Sequence, residues 1–479
     1  MRSPPRWRSA KANARRMAER TLFLTGHLAR ARLEKVLAAA ELGFEWSILD
    51  IGVKVAALMT EAIIRRRLPR PIDADRVIVP GRCRADLARL SAELGVTFER
   101  GPDELKDLPA WFGKHGHGLD LSRHDMRIFA EIVDASALST DAILARARAM
   151  RGAGADVIDL GCLPDTPFPH LEEAVQELAR NGILVSVDSA DTDELRRGGR
   201  AGARFLLSLT EHTLDVATET GAQPVLIPAT HADLPSLLRA AEEADKRGIA
   251  AILDPNLDPI HFGFMASLAR YAETRRRLPQ AEILMGTGNL TELTDADSAG
   301  TTAMLLGVCS ELAIRNLLVV QVSPHTRRTI EEHDAARRIM FAARADASLP
   351  KDYGTALLAL HERKPFPYSP AEIAELAQQV KDDNFRIEVA ADGIHVYNRH
   401  RHEVAQDAFA LFEKLGVEKD GAHAFYLGAE LMRAEIAWRL GKRFAQDEPL
   451  DWGVAVDRPE EDRTRPREAG HTLRPRATD

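Results

Sequence analysis

The chain has 479 residues, 45% hydrophobic and 28% charged, with a formal net charge of −8 at pH 7. That length exceeds one typical domain and predicts two or three. A negative balance with basic and acidic residues interspersed excludes nucleic acid as the main partner, since backbone binding needs a concentrated basic face. No apolar run reaches the ~18 residues of a membrane span, so a cytoplasmic protein with no membrane partner is expected. The leader carries Arg2, Arg6, Arg8, Lys11, Arg15 and Arg16 with no apolar stretch behind them, and residues 1–19 are expected to be a disordered extension, not a secretion signal. Cys83, Cys162 and Cys309 are isolated, with no CxxC pair. They predict small, partly buried thiols and neither a zinc site nor a disulfide framework.

In chain order, residues 20–118 read as a small Rossmann-like α/β domain. Apolar runs at 21–25, 45–50 and 76–80 alternate with helical patterns at 29–42 and 55–68, which predicts a mostly parallel sheet. The turns Leu24-Thr25-Gly26-His27 and Pro80-Gly81-Arg82-Cys83-Arg84 fall at strand ends, where ligands tend to sit, and Arg82 with Arg84 are placed to meet an anion. Residues 111–118, with Gly113, Gly116 and Gly118, read as a linker, with His115 and His117 as solvated residues in it.

Residues 125–345 give the clearest pattern. Short β-rich runs recur at 127–133, 156–160, 184–187, 205–209, 224–227, 250–253, 282–285 and 317–320, with helical stretches between them. Eight βα repeats over roughly 220 residues match a (β/α)8 TIM barrel in count and length. A Pro-rich junction, Pro365-Phe366-Pro367-Tyr368-Ser369-Pro370, then leads into residues 366–455. There, runs at 385–390 and 393–398 flank an Asp392-Gly393 turn, and helical patterns follow at 403–415 and 422–440, giving a small C-terminal α+β domain. Residues 456–479 are charged and poor in large apolar side chains, which predicts a second disordered tail.

Barrel sites form at the carboxyl ends of the strands, where the βα loops converge. Here the eight ends read Asp134, Asp159, Asp188, Ser208, Pro228, Asp254, the Gly286-Thr287-Gly288-Asn289 loop, and Gln321 with Ser323. A single such aspartate is accounted for as a helix cap. Four at one level are not, because a ring of carboxylates repels itself unless donors or cations compensate. The expected partner is a donor-rich ligand, a metal, or both. The Gly286–Asn289 loop opens a helix, and two glycines let backbone N–H groups approach a phosphate.

The runs Gly154-Ala155-Asp156-Val157-Ile158-Asp159-Leu160-Gly161, Val185-Ser186-Val187-Asp188-Ser189 and Ile252-Leu253-Asp254-Pro255 resemble the second, third and sixth strands of dihydropteroate synthases, and also occur in similar form in pterin-binding methyltransferases. The resemblance spans residues 126–344 and implies a pterin-binding barrel, with Asp159, Asp188, Ser208 and Asp254 around the pterin. Physically a pterin fits: its 2-amino group and N3–H form a planar donor fork that a carboxylate accepts through two parallel bonds, each worth roughly 1.5–3 kcal/mol. Asp134 stands where the family has an asparagine near the diphosphate and its magnesium ion, which implies a metal role. Three features depart from the family. Ser208 replaces an asparagine, the seventh-strand loop lacks the family's lysine, and Gln321-Val322-Ser323 stands in place of Arg-x-His, with His325, Arg327 and Arg328 following.

Those departures are themselves similar to the archaeal-type dihydropteroate synthase-related proteins of tetrahydromethanopterin formation, a route also used by methylotrophic bacteria. The shared stretches are Gly286-Thr287-Gly288-Asn289-Leu290-Thr291-Glu292-Leu293, Asp295-Ala296-Asp297-Ser298, Phe425-Tyr426-Leu427-Gly428-Ala429-Glu430-Leu431 and Gln446-Asp447-Glu448-Pro449-Leu450. The first segment resembles a domain fused to this barrel in such bacteria. The resemblance implies a transferase joining a (7,8-dihydropterin-6-yl)methyl diphosphate to an arylamine, 4-(β-D-ribofuranosyl)aminobenzene 5′-phosphate. Asp188, Asp254, Asn289 and Arg327 would be catalytic. Gly286, Thr287, Gly288, Asn289, Ser323, His325 and Arg327 would hold phosphate, Asp134 would hold magnesium, and any self-association would be a homodimer. The alternatives are a pterin-dependent methyltransferase and a non-catalytic pterin-binding protein.

Overall fold

A computed structural model of the chain describes residues 19–40, 42–103, 105–113, 119–457 and 464–465. Of the stretches expected to be disordered, 1–19 and 456–479, residues 1–18, 458–463 and 466–479 lie outside the described residues, as do the linker histidines His115 and His117. The chain divides into two compact units, one of residues 1–122 with 342–351 and 462–479, the other of residues 123–341 with 352–461.

In the first unit, strands β1 (Arg20–Thr25), β2 (Glu45–Asp50), β3 (Arg76–Val79) and β4 (Thr97–Arg100) pair in the order β2-β1-β3-β4, all parallel. Successive side chains point to opposite faces of a strand. Leu24, Val77, Val79 and Phe98 therefore feed one buried cluster, and Phe23 and Ile78 the other. Both faces are covered, as a parallel sheet requires. The helix Leu87–Leu94 starts on Asp86, whose side chain accepts from the Arg89 N–H, and stops at Gly95 with φ +67°. Strand β4 was not legible in the sequence: Phe98 is its one large apolar residue. Arg82 sits 3.9 Å from Asp103. A two-residue strand β5 (Leu119–Asp120) pairs antiparallel with Thr464–Arg465.

The second unit contains a closed barrel of eight parallel strands: β6 (Arg127–Ile132), β7 (Val157–Gly161), β8 (Leu184–Asp188), β9 (Phe205–Leu209), β10 (Gln223–Leu226), β11 (Ile252–Leu253), β12 (Glu282–Gly286) and β13 (Asn316–Val319). Helices lie between them, so this is the (β/α)8 fold read from the repeats. Two cores form because each strand is buried on both sides. Phe129, Val157, Phe205, Leu207, Val225, Ile252 and Leu284 fill the barrel interior. Ile128, Ile158, Val185, Leu206 and Leu253 face outward against the helices. The helix Leu171–Arg180 shows the matching period, burying Leu171, Ala174, Val175 and Leu178.

The barrel is closed at its lower end by a buried ionic staple. Arg337, on the last barrel helix, donates to Asp334 Oδ1 at 2.7 Å, to the Met126 carbonyl at 2.7 Å and to the Gly154 carbonyl at 3.0 Å, and it also pairs with Asp156. Asp156 in turn accepts from the Ile128 N–H at 2.8 Å, so the first two strands and the last helix are tied at one point.

Beyond the barrel, β14 (Arg386–Ala390), β15 (Gly393–Asn398) and β16 (Arg401–Ala405) form an antiparallel sheet packed on the helix Gly421–Leu440. The Asp392-Gly393 turn is present, but the helical pattern expected from residue 403 is corrected. Residues 403–405 belong to β16, and the helix there runs only Ala408–Phe412. The three cysteines are free thiols, two of them buried. Among the described residues, no helix is long and apolar enough to cross a membrane.

Candidate active site

Closing eight parallel strands brings all their carboxyl ends to one rim. Along β6, β7 and β11 the inward positions run Phe129 then Glu131, Val157 then Asp159, and Ile252 then Asp254. An apolar plug is thus capped by carboxylates on the same face. Register sets Glu131 beside Asp159 and Gly161 beside Asp188. A Cβ on Gly161 would stand 2.6 Å from Glu131 Oε1, so the glycine lets that carboxyl group lie close against β7. Above this layer opens a cleft of about 650 Å³, within the range of small-molecule sites. Its acidic lining residues are Glu131, Asp188, Asp254 and Asp258, with Ser208, Asn256, Asn289 and His231 as further polar groups. Leu207, Val225, Ile227 and the exposed ring of Phe262 complete its walls.

Each carboxylate is held by a specific donor. Ser208 Oγ donates to Asp188 Oδ1 at 2.5 Å. Ser208 reaches it from a bulge in β9, where the register with β10 slips and the serine takes φ +64°, a left-handed conformation that costs roughly 1–2 kcal/mol outside glycine. Tyr271 Oη donates to Asp254 Oδ1 at 2.6 Å, and the Asn256 N–H to the same oxygen at 2.8 Å. Oδ2 of Asp188 and of Asp254 accepts no hydrogen bond among the described residues. Asp159 lies beneath, fully buried, with Oδ1 accepting from Ser186 at 2.5 Å and Oδ2 left without a partner.

Burial in a shared acidic layer disfavours ionisation. Burial, reinforced by the Asp188 charge, raises Glu131 to about 7. Burial, then Asp188 and Glu131, hold Asp159 well above the usual carboxylate range despite its bond from Ser186. Burial also raises Asp188 against the bond from Ser208. Burial lifts Asp254 to about 6 against its bonds from Tyr271 and Asn256. Asp258 goes the other way: burial would raise it, but hydrogen bonds from Arg270 and His231 outweigh that and hold it low. Glu131 and Asp159 therefore hold their protons to higher pH than a free carboxyl group does.

Of the sequence-derived site residues, Asp188, Ser208, Asp254, Gly286, Gly288 and Asn289 line this one cleft, and Asp159 underlies it. Asn289 Nδ2 donates to the Leu257 carbonyl at 2.8 Å, which pins its amide to the neighbouring loop. Gly288 is required by packing, since a Cβ there would stand 2.7 Å from Val320 Cγ2.

The other expected residues are engaged elsewhere. Thr287 is buried behind the loop, with its hydroxyl 2.9 Å from His333 Nε2 and donating to the Leu318 carbonyl at 3.1 Å. The Ser323 N–H donates to Glu292 Oε2 at 3.0 Å, and His325 Nε2 bonds the Thr291 carbonyl at 3.1 Å, so both serve to fold the last loop. Arg327 is exposed and does not line the cleft. Asp134 falls beyond the end of β6, outside the cleft, and its Oδ1 is taken by Arg146 at 2.5 Å. Among the described residues, no three His, Cys, Asp or Glu side chains are grouped to hold a metal ion. The magnesium role expected of Asp134 does not fit this arrangement.

Glu131, His231, Asp258, Arg270 and Tyr271 were not singled out in the sequence. Glu131 had a signal, as a charged residue at inward parity two places after Phe129.

Residues 19–103 match a family of unknown function (DUF6513). An uncharacterized protein of Methanocaldococcus jannaschii is 25% identical over 527 aligned residues, which cover 89% of this chain and 98% of that protein. Solved structures with similarity include a dihydropteroate synthase of Yersinia pestis, 19% identical with a TM-score of 0.37, covering 47% of this chain and 96% of that one. The dihydropteroate synthase of Xanthomonas albilineans in complex with 7,8-dihydropteroate is 21% identical with a TM-score of 0.36, covering 47% and 96%.

Proposed function

We propose that the cleft binds a reduced pterin through Asp188 and Asp254, and that the chain is a dihydropteroate synthase-like transferase acting at the pterin's exocyclic methylene. One observation carries this reading: two inward carboxylates across the same cleft, each anchored on one oxygen by a hydroxyl and presenting the other without a hydrogen bond. Such a pair suits a flat heterocycle with N–H donors along its edge.

In the reaction proposed, the C–O bond of a (7,8-dihydropterin-6-yl)methyl diphosphate breaks, and diphosphate leaves with the electron pair. The arylamine nitrogen supplies the pair for the new C–N bond and gives up one proton to the departing diphosphate or to water. Positive charge developing on the pterin methylene is stabilised by the carboxylate layer, and orientation within the cleft supplies the rest. The sequence resemblance in residues 286–298 supports 4-(β-D-ribofuranosyl)aminobenzene 5′-phosphate as the acceptor and tetrahydromethanopterin formation as the pathway.

A second reading, methyl transfer from a reduced methylpterin, is favoured by the lack of lysine and arginine among the described lining residues. Incubating the protein with the dihydropterin diphosphate and the arylamine phosphate distinguishes them. Diphosphate release with formation of the coupled product is expected. No release with any arylamine, alongside methyl loss from a methylated pterin, would replace the first reading by the second.

A further inference from the structure

Four carboxylates line the cleft, and His231 is the one basic side chain among its described lining residues. Its surroundings are built, not incidental. His231 Nε2 bonds Asp258 Oδ1 at 2.9 Å, while the imidazole itself is 69% exposed and Asp258 is buried. Asp258 Oδ2 accepts from Arg270 Nη2 at 2.7 Å, and its own N–H donates to Ser267 Oγ at 3.1 Å. Arg270, only 11% exposed, also donates to the carbonyls of Pro255 at 3.1 Å and Asn256 at 2.8 Å. The ion pair thus fixes the loop after β11 and aims one carboxylate oxygen at the histidine.

Two consequences follow from the chemistry. With Nε2–H committed to Asp258, Nδ1 is the nitrogen presented to a ligand. The Arg270 charge balances Asp258, so a protonated His231 leaves the three groups with a net charge of +1. Glu131, Asp188 and Asp254, the other acidic residues of the cleft, disfavour an anion beside them.

We propose that His231 is the anion-receiving residue of the cleft. Its imidazolium donates from Nδ1 to a phosphate oxygen of the substrate, while the heterocycle sits against Asp188 and Asp254. Asp258 and Arg270 are positioning residues for that imidazole. This rests on the pterin reading given above and adds the direction in which the phosphorylated end lies, toward the loops that follow β10 and β11.

The test is calorimetric titration of wild type, His231→Ala and His231→Lys with 6-hydroxymethyl-7,8-dihydropterin and with its diphosphate. Because His231 is exposed, neither substitution threatens the fold. In His231→Ala the diphosphate is expected to bind about tenfold more weakly or worse, the loss of one charge-assisted bond, with the alcohol unchanged. His231→Lys restores part of the difference. Equal diphosphate affinity in wild type and His231→Ala overturns the proposal, as does an equal loss for both ligands. If wild type binds neither pterin, the pterin reading falls. Inorganic diphosphate then decides on His231: weaker binding by His231→Ala keeps the anion site, and unchanged binding removes it.

Discussion

Tyr271 and Asp254 show how single residues set the working range of the site. The donor fork of a pterin needs Asp254 as a carboxylate, and burial raises that group to about 6. Pterin affinity is therefore expected to fall as pH drops through about 6, measured by titration across that range. Tyr271→Phe removes a bond that favours the charged form, so the midpoint should move upward by about one pH unit or more; an unmoved midpoint would mean that another group governs binding. Glu131 acts on stability. Its folded value of about 7 lies above the ordinary 4.5, so between those values the folded chain holds more protons than the unfolded one. Stability contributed here is present at low pH and lost as pH rises toward 7. Glu131→Gln should flatten that decline in denaturant unfolding, and an unchanged slope would show that Glu131 does not titrate in this window. Asp188 and Asp254 were legible because each follows an apolar run. Glu131 escaped because Val133 extended the apolar run and drew attention to Asp134, which lies past the strand. The His231–Asp258 pair joins two loops 27 residues apart, and no sequence period announces such a contact.

At the scale of elements, the eight barrel strands were readable because parallel strands buried on both faces appear as short apolar runs. The strands that were missed or misassigned lack that signal. β4 has one large apolar residue, and β16, Arg-His-Glu-Val-Ala, is polar enough to merge with the helix that follows. The loop after β12 illustrates a different limit. Its glycines were read as room for an anion, but Gly288 is glycine because Val320 lies against it. Gly288→Ala should destabilise the protein by about 1–3 kcal/mol through overpacking and disturb a wall of the cleft. Thermal unfolding unchanged from wild type would mean that Val320 yields.

At the scale of the molecule, the barrel brings residues from β6, β8, β9 and β11 and the loops after β10 and β12 to one rim, so the site exists only when the cylinder is closed. Arg337 secures that closure from the opposite end; its removal takes one partner from half-buried Asp156 and one from Asp334, which keeps Arg338 as its ion-pair partner. Arg337→Ala is expected to cost about 3–5 kcal/mol, read as a lower denaturant midpoint. The count and length of the repeats made this architecture plain in the sequence, whereas the staple depends on side chains more than 180 residues apart. The central claim is that Asp188 and Asp254 together hold the heterocycle. Calorimetric titration of a dihydropterin into wild type, Asp188→Asn and Asp254→Asn, all with wild-type circular dichroism, tests it most directly. The expected result is binding by wild type and loss of it in both variants; affinity unchanged in either variant would contradict the account.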